Sequence, residues 1–112
     1  MCHPQELVSA FRQEATTSGR PRLLLTAAVA AGKTQIDLAY DIPRLGEQLD
    51  FISLMTYDIH GDWESRTGHN SPLYAGSTDD DQTKNLDWTV TYWLDKVCSV
   101  SVVLFFVNFH LV

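Results

Sequence analysis

A chain of 112 residues, 45% of them hydrophobic and 20% charged, is sized for one small domain with a modest core. Its net charge of −6, with Lys and Arg scattered and no basic stripe carrying interleaved aromatics, argues against nucleic acid as a partner. Cys2 and Cys98 lie near the two ends without Cys-x-x-Cys spacing, so no metal site, redox motif or cofactor is expected.

In chain order, Met1-Cys-His-Pro-Gln-Glu lacks a basic segment and an apolar run, so no signal peptide is expected. Leu7, Val8, Phe11 and Ala15 recur at helical spacing and Gly19 follows as a stop. This predicts a surface helix with Glu6, Arg12, Gln13 and Glu14 toward water. Leu23 to about Ala30 reads as a buried strand, apolar apart from Thr26. Residues 31–50 have a suitable length for a crossover to a parallel neighbour. Within them Asp41 is placed to cap a short helix beginning near Pro43, with Leu45 and Leu49 inward.

Ala27-Ala-Val-Ala-Ala-Gly32-Lys33-Thr34 has a loose likeness to a phosphate loop. Only one glycine is present, whereas a phosphate cradle needs a Gly-rich backbone to wrap the anion. Nucleotide binding is therefore a distant alternative, and Lys33 is expected in a surface loop.

The next stretch, Phe51-Ile-Ser-Leu-Met-Thr-Tyr-Asp-Ile-His-Gly-Asp-Trp63, organises the chain. Phe51 to about Tyr57 is broken early only by Ser53, which predicts a strand buried on both faces. Alternation puts Met55 and Tyr57 on one face and Leu54 and Thr56 on the other. A buried strand delivering a tyrosine, a carboxylate, a histidine and a tryptophan at its C-terminal end is how an α/β-barrel builds an active site. Residues 58–86 predict no regular element, and a connection that long tends to be functional or mobile. His60, His69 and Asp58 lie across this irregular loop, where hydrogen bonding is expected in place of metal ligation. Asn85 or Asp87 then caps a helix to about Lys96, with Leu86, Val90, Trp93 and Leu94 on one face. Residues 97–112 carry no charged side chain but fall short of the roughly 20 residues of a membrane span. This tail is expected either to pair as an improvised third strand or to lie on exposed core.

Leu54-Met-Thr-Tyr-Asp-Ile-His-Gly-Asp-Trp63 with Thr67-Gly-His-Asn-Ser-Pro-Leu-Tyr74 resembles the sixth-strand region of glycoside hydrolase family 18, the animal chitinases and chitinase-like lectins. Leu23-Leu-Leu-Thr-Ala-Ala-Val-Ala-Ala-Gly32 is similar to the family's fifth strand and exit loop. The resemblance runs from about Leu7 to Lys96. It implies a partial (β/α)₈ TIM barrel over residues 1–96, about the fourth helix to the sixth β/α unit, with 97–112 a divergent hydrophobic tail, as from an alternative exon end. A complete barrel needs roughly 250 residues.

The resemblance implies binding of chitin or N-acetylglucosamine oligosaccharides and, in a full-length parent, retaining hydrolysis with the substrate's own acetamide as nucleophile. It gives Tyr57 the task of donating to the acetamide oxygen and Asp58 that of bonding the bound sugar. Met55 lines the pocket, Trp63 is a platform for a sugar face, and Ala28 leaves room at the pocket floor. For Met55 and Ala28, barrel packing is favoured over direct contact with the substrate. The family's general acid ends an Asp-x-x-Asp-x-Asp-x-Glu motif on the fourth strand, which this sequence does not contain. The fragment is thus expected to be inactive, and a non-catalytic chitin-binding lectin is the alternative. Family relatives are extracellular; self-association through exposed barrel edges is expected.

Overall fold

The computed structural model describes residues 4–97 and the backbone of 103–105. Helix α1 (Pro4–Ser18) opens the chain. It ends where the Gly19 amide bonds back to the Ala15 carbonyl at 3.0 Å with Gly19 at φ +68°, a turn that glycine makes without Cβ strain. Glu6, Arg12, Gln13 and Glu14 face water as the pattern predicts, and no residue of α1 is buried.

Strand β1 (Thr26–Ala30) is followed by helices α2 (Lys33–Ala39) and α3 (Ile42–Gln48), then by strand β2 (Phe51–Met55). The two strands pair in parallel, with Thr26 opposite Phe51 and Ala30 opposite Met55. The crossover therefore carries two short helices where the sequence suggested one. Asp41 caps α3, accepting from the Arg44 amide at 3.5 Å, with Pro43 in the first turn. Leu49 is buried and Leu45 half-buried, as expected.

Lys33 begins α2, so it is not the loop residue its sequence suggested. The strand expected from Leu23 starts only at Thr26, and Leu23 and Leu24 are 56% and 65% exposed. β1 is the sheet edge, so its entry has no neighbour to complete a ladder or cover apolar side chains.

Residues 58–85 form turns without a regular element, as predicted. Helix α4 (Leu86–Lys96) starts at Asn85, whose side chain accepts from the Trp88 amide at 2.9 Å. Asp87 in its first turn and Lys96 in its last complement the helix dipole. Leu86 and Trp93 are buried, but Leu94 is 51% exposed. Thr89 takes the inward position instead, because its hydroxyl finds carbonyl partners there. Strand β3 (Val103–Phe105) pairs in parallel with β2, giving the order β1-β2-β3 and bearing out the improvised third strand. The rest of the hydrophobic tail beyond Val97 lies outside the described residues.

The core lies on one face of the sheet. Val29, Ile52 and Leu54 pack against Ile36 of α2, Ile42 of α3, Leu49 and Trp93 of α4. Burying each such aliphatic side chain contributes about 1.5–3 kcal/mol. Strand alternation turns Thr26, Ala28, Ala30, Phe51, Ser53 and Met55 to the other face. No described helix is long and apolar enough to cross a membrane.

One half-buried connection makes the fold acid-sensitive. The Arg22 guanidinium grips Asp50 through both nitrogens, Nη1 to Oδ2 at 2.9 Å, and the Leu25 amide donates to Oδ2 at 2.7 Å. Arg22, then the Leu25 amide, hold the Asp50 carboxyl below its ordinary range. Asp37 is lowered likewise, by Lys33 and the Tyr92 hydroxyl. A carboxyl lowered in the folded state adds stability above its unfolded pKa and loses it as pH falls through the folded value. Thermal melts should therefore hold level down to about pH 4 and decline below it. Asp50→Asn should flatten that decline; a variant with an unchanged acid limb would contradict the role given to Asp50.

Candidate functional site

At the C-terminal ends of β1 and β2 lies a cleft of about 570 Å³, bounded on one side by Lys33, Thr34 and Gln35 at the start of α2. Its floor and walls include Ala30, Gly32, Met55, Tyr57, Asp58 and Trp63. The structure thus gathers four of the five residues singled out by sequence. Met55 and Tyr57 reach the cleft because alternation sends them opposite to Leu54 and Thr56, which are fully buried. Ala28 shares the face of Ala30 but sits one pair deeper, opposite Ser53, and is not among the residues bounding the cleft.

The strand end is fixed by a segment whose role the sequence did not disclose. Asn70 Oδ1 accepts from the Asp58 amide at 3.2 Å, the Asn70 carbonyl accepts from Ile59 at 2.9 Å, and the Ser71 hydroxyl donates to the Thr56 carbonyl. Asp58 adopts φ +53°, a left-handed conformation that aspartate tolerates better than most residues. Held by Asn70, that turn ends the strand and leaves the Asp58 carboxylate exposed at the cleft. Trp63 is 64% exposed. Its indole folds back over Gly61, where a Cβ would collide with the ring, so only glycine fits beneath it.

Below the cleft, Glu64 is clasped by His60 Nδ1 at 2.6 Å and by the Lys84 ammonium. Lys84, then His60, hold its carboxyl below the ordinary range. Asp81, at the cleft rim, is also lowered, by hydrogen bonds from Thr83. Neither suits proton donation, which requires a carboxyl raised toward neutral pH. No glutamate bounds the cleft among the described residues. His60 has a hydrogen-bonding role, and no cluster of metal-ligating side chains occurs among the described residues.

The phosphate-loop likeness finds no cradle. The Gln35 side chain folds against Gly32 at the start of α2, and the Lys33 ammonium is engaged by Asp37 at 2.5 Å beside the Tyr92 ring.

Comparison with known proteins gives a consistent answer. The sequence pattern of the family described as Glycosyl hydrolases family 18 matches residues 4–111. An oviduct-specific glycoprotein of Sus scrofa is 52% identical over 89 residues, covering 80% of this chain but only 16% of its own length. A solved chitinase of Trichuris suis superposes with a TM-score of 0.85 at 39% identity, covering 91% of this chain and 28% of the chitinase. Human YKL-39, a pseudo-chitinase with retained chitooligosaccharide binding properties, superposes at 0.82 and 42% identity, covering 89% of this chain and 29% of YKL-39. The chain thus spans under a third of each, and the likeness is to a TIM-barrel-type α/β fold.

Proposed function

We propose, since this chain belongs to glycosyl hydrolases family 18, that its cleft is the sugar-positioning part of a chito-oligosaccharide site, built on a partial (β/α)₈ barrel. The observation that carries this reading is the convergence of Tyr57, Asp58, Met55 and Trp63 on one cleft at the ends of two parallel strands. Tyr57 donates its phenol hydrogen to the acetamide oxygen of a bound N-acetylglucosamine, and Asp58 bonds the same sugar. Trp63 offers its exposed ring to a pyranose face, and Met55 closes the apolar wall beneath. In a longer parent carrying an acid on the preceding strand, the held acetamide attacks the anomeric carbon while that acid protonates the leaving oxygen. The relatives include both chitinases and a pseudo-chitinase, and these residues serve either kind of parent.

The parent is extracellular in this reading. The free edge of β1, with Leu23 and Leu24 exposed, is where the rest of the barrel docks; without it, copies of the chain self-associate there. Residues 1–96 form the barrel segment and 97–112 the divergent tail.

The platform gives the sharpest test. Trp63 is largely exposed, so Trp63→Ala should leave the far-ultraviolet spectrum unchanged. It should weaken binding of the tetrasaccharide of N-acetylglucosamine at least about tenfold, equivalent to roughly 1.4 kcal/mol of lost stacking. Equal affinity in the variant would remove the sugar platform from the account.

A further inference from the structure

We infer that Thr89 and Trp93 of α4 are positioning residues for the cleft, fixing its β1 wall by binding the backbone of Ala30 and Ala31 from behind. This rests on the proposed sugar site, since the wall they hold faces Tyr57 across that cleft. β1 is an edge strand, so the wall lacks the second neighbouring ladder that would hold it in a closed sheet. Side chains do so instead. Trp93 Nε1 donates to the Ala30 carbonyl at 3.2 Å, and the Ala30 amide donates to the Tyr40 hydroxyl at 3.1 Å. The Thr89 hydroxyl lies 3.1 Å from the Ala31 carbonyl and 3.0 Å from the Asn85 carbonyl, two acceptors for one hydrogen.

Thr89 and Trp93 are both fully buried, and the Tyr40 ring meets Trp93 edge-on at 5.4 Å. Ala30, Ala31 and Gly32 all bound the cleft, and the Gly32 carbonyl accepts the first helical hydrogen bond of α2 from Ile36. One helix on the back of the sheet thereby sets both the cleft wall and the start of α2. Buried backbone groups at a strand end need partners. Satisfying them with a threonine hydroxyl and an indole ties the wall to a helix that never touches the sugar.

The test compares Thr89→Val, which keeps the shape and removes the hydroxyl, with Thr89→Ser, which keeps the hydroxyl. Amide hydrogen exchange is read at Ala30 and Ile36, which flank the held segment, and at Ile52 and Leu54 of β2 as reference. The valine variant should speed exchange about tenfold at Ala30 and Ile36 while leaving Ile52 and Leu54 unchanged. Serine should restore the native rates. Tetra-N-acetylglucosamine affinity should fall and recover in step. Uniform acceleration at all four amides would make Thr89 an ordinary core residue and overturn the inference. So would unchanged exchange, failure of serine to rescue, or an affinity indifferent to the loosened wall. Should the native chain bind no tetrasaccharide, the sugar reading fails, and the exchange pattern still decides whether Thr89 holds the wall.

Discussion

Trp93→Ala is expected to unfold the chain. The indole is fully buried in the hydrophobic cluster that also holds Val29, Ile52 and Leu54 of the two strands. Removing it sacrifices transfer energy and leaves a cavity, about 3–5 kcal/mol in comparable cores. It also strips the half-buried Ala30 carbonyl of its donor, which adds to the loss. Small domains hold only about 5–15 kcal/mol in total. An open sheet edge and a first helix that buries no residue leave this chain little in reserve. Circular dichroism of Trp93→Ala should show an unfolded chain, whereas Trp93→Phe should stay folded with a lowered urea midpoint. A cooperative, native-like transition in the alanine variant would contradict the central place given to this residue.

The second large effect is an absence of turnover. A general acid contributes roughly 10²–10⁴-fold to such reactions, and among the described residues no glutamate bounds the cleft. The chain's glutamates are Glu6, Glu14, Glu47 and Glu64. The first two lie exposed on α1 and Glu47 lies exposed on α3. Glu64 is clasped by Lys84 and His60, which keep it ionised. Asp81 at the rim is kept ionised by Thr83. In the proposed reading, acetamide positioning by Tyr57 without a proton donor leaves the leaving oxygen a poor departure, so a fluorogenic chitobioside should remain uncleaved. Turnover that disappears in Tyr57→Phe would show that an acid had been overlooked.

The sequence disclosed the cleft more fully than the frame around it. Met55, Tyr57, Asp58 and Trp63 could be placed because strand alternation, a turn glycine and the family-like motif all fall within one short run. The helical pattern around Leu86 and Trp93 was equally plain, yet Leu94 faces water. Apolar spacing cannot register that Thr89, a polar residue, finds two carbonyls inside. The start of β1 departs from the sequence pattern for a related reason. Leu23 and Leu24 look like core, but burial depends on a neighbouring strand, and β1 has none on that side. Helix α2 escaped notice because the run of alanines before it suggested continued strand. The long-range bonds from Asn70 and Ser71 to the end of β2 span 12 and 15 residues across an irregular loop, where no periodicity marks the partners.

One nuclear magnetic resonance titration tests whether this chain is a sugar cradle without a proton donor. Tetra-N-acetylglucosamine is added to the ¹⁵N-labelled chain, and protein and sugar signals are followed together over days. The account predicts saturable shifts confined to residues around Tyr57, Asp58 and Trp63, with the tetrasaccharide intact at the end. Shifts absent from that cleft, or the appearance of shorter sugars that Tyr57→Phe abolishes, would contradict it.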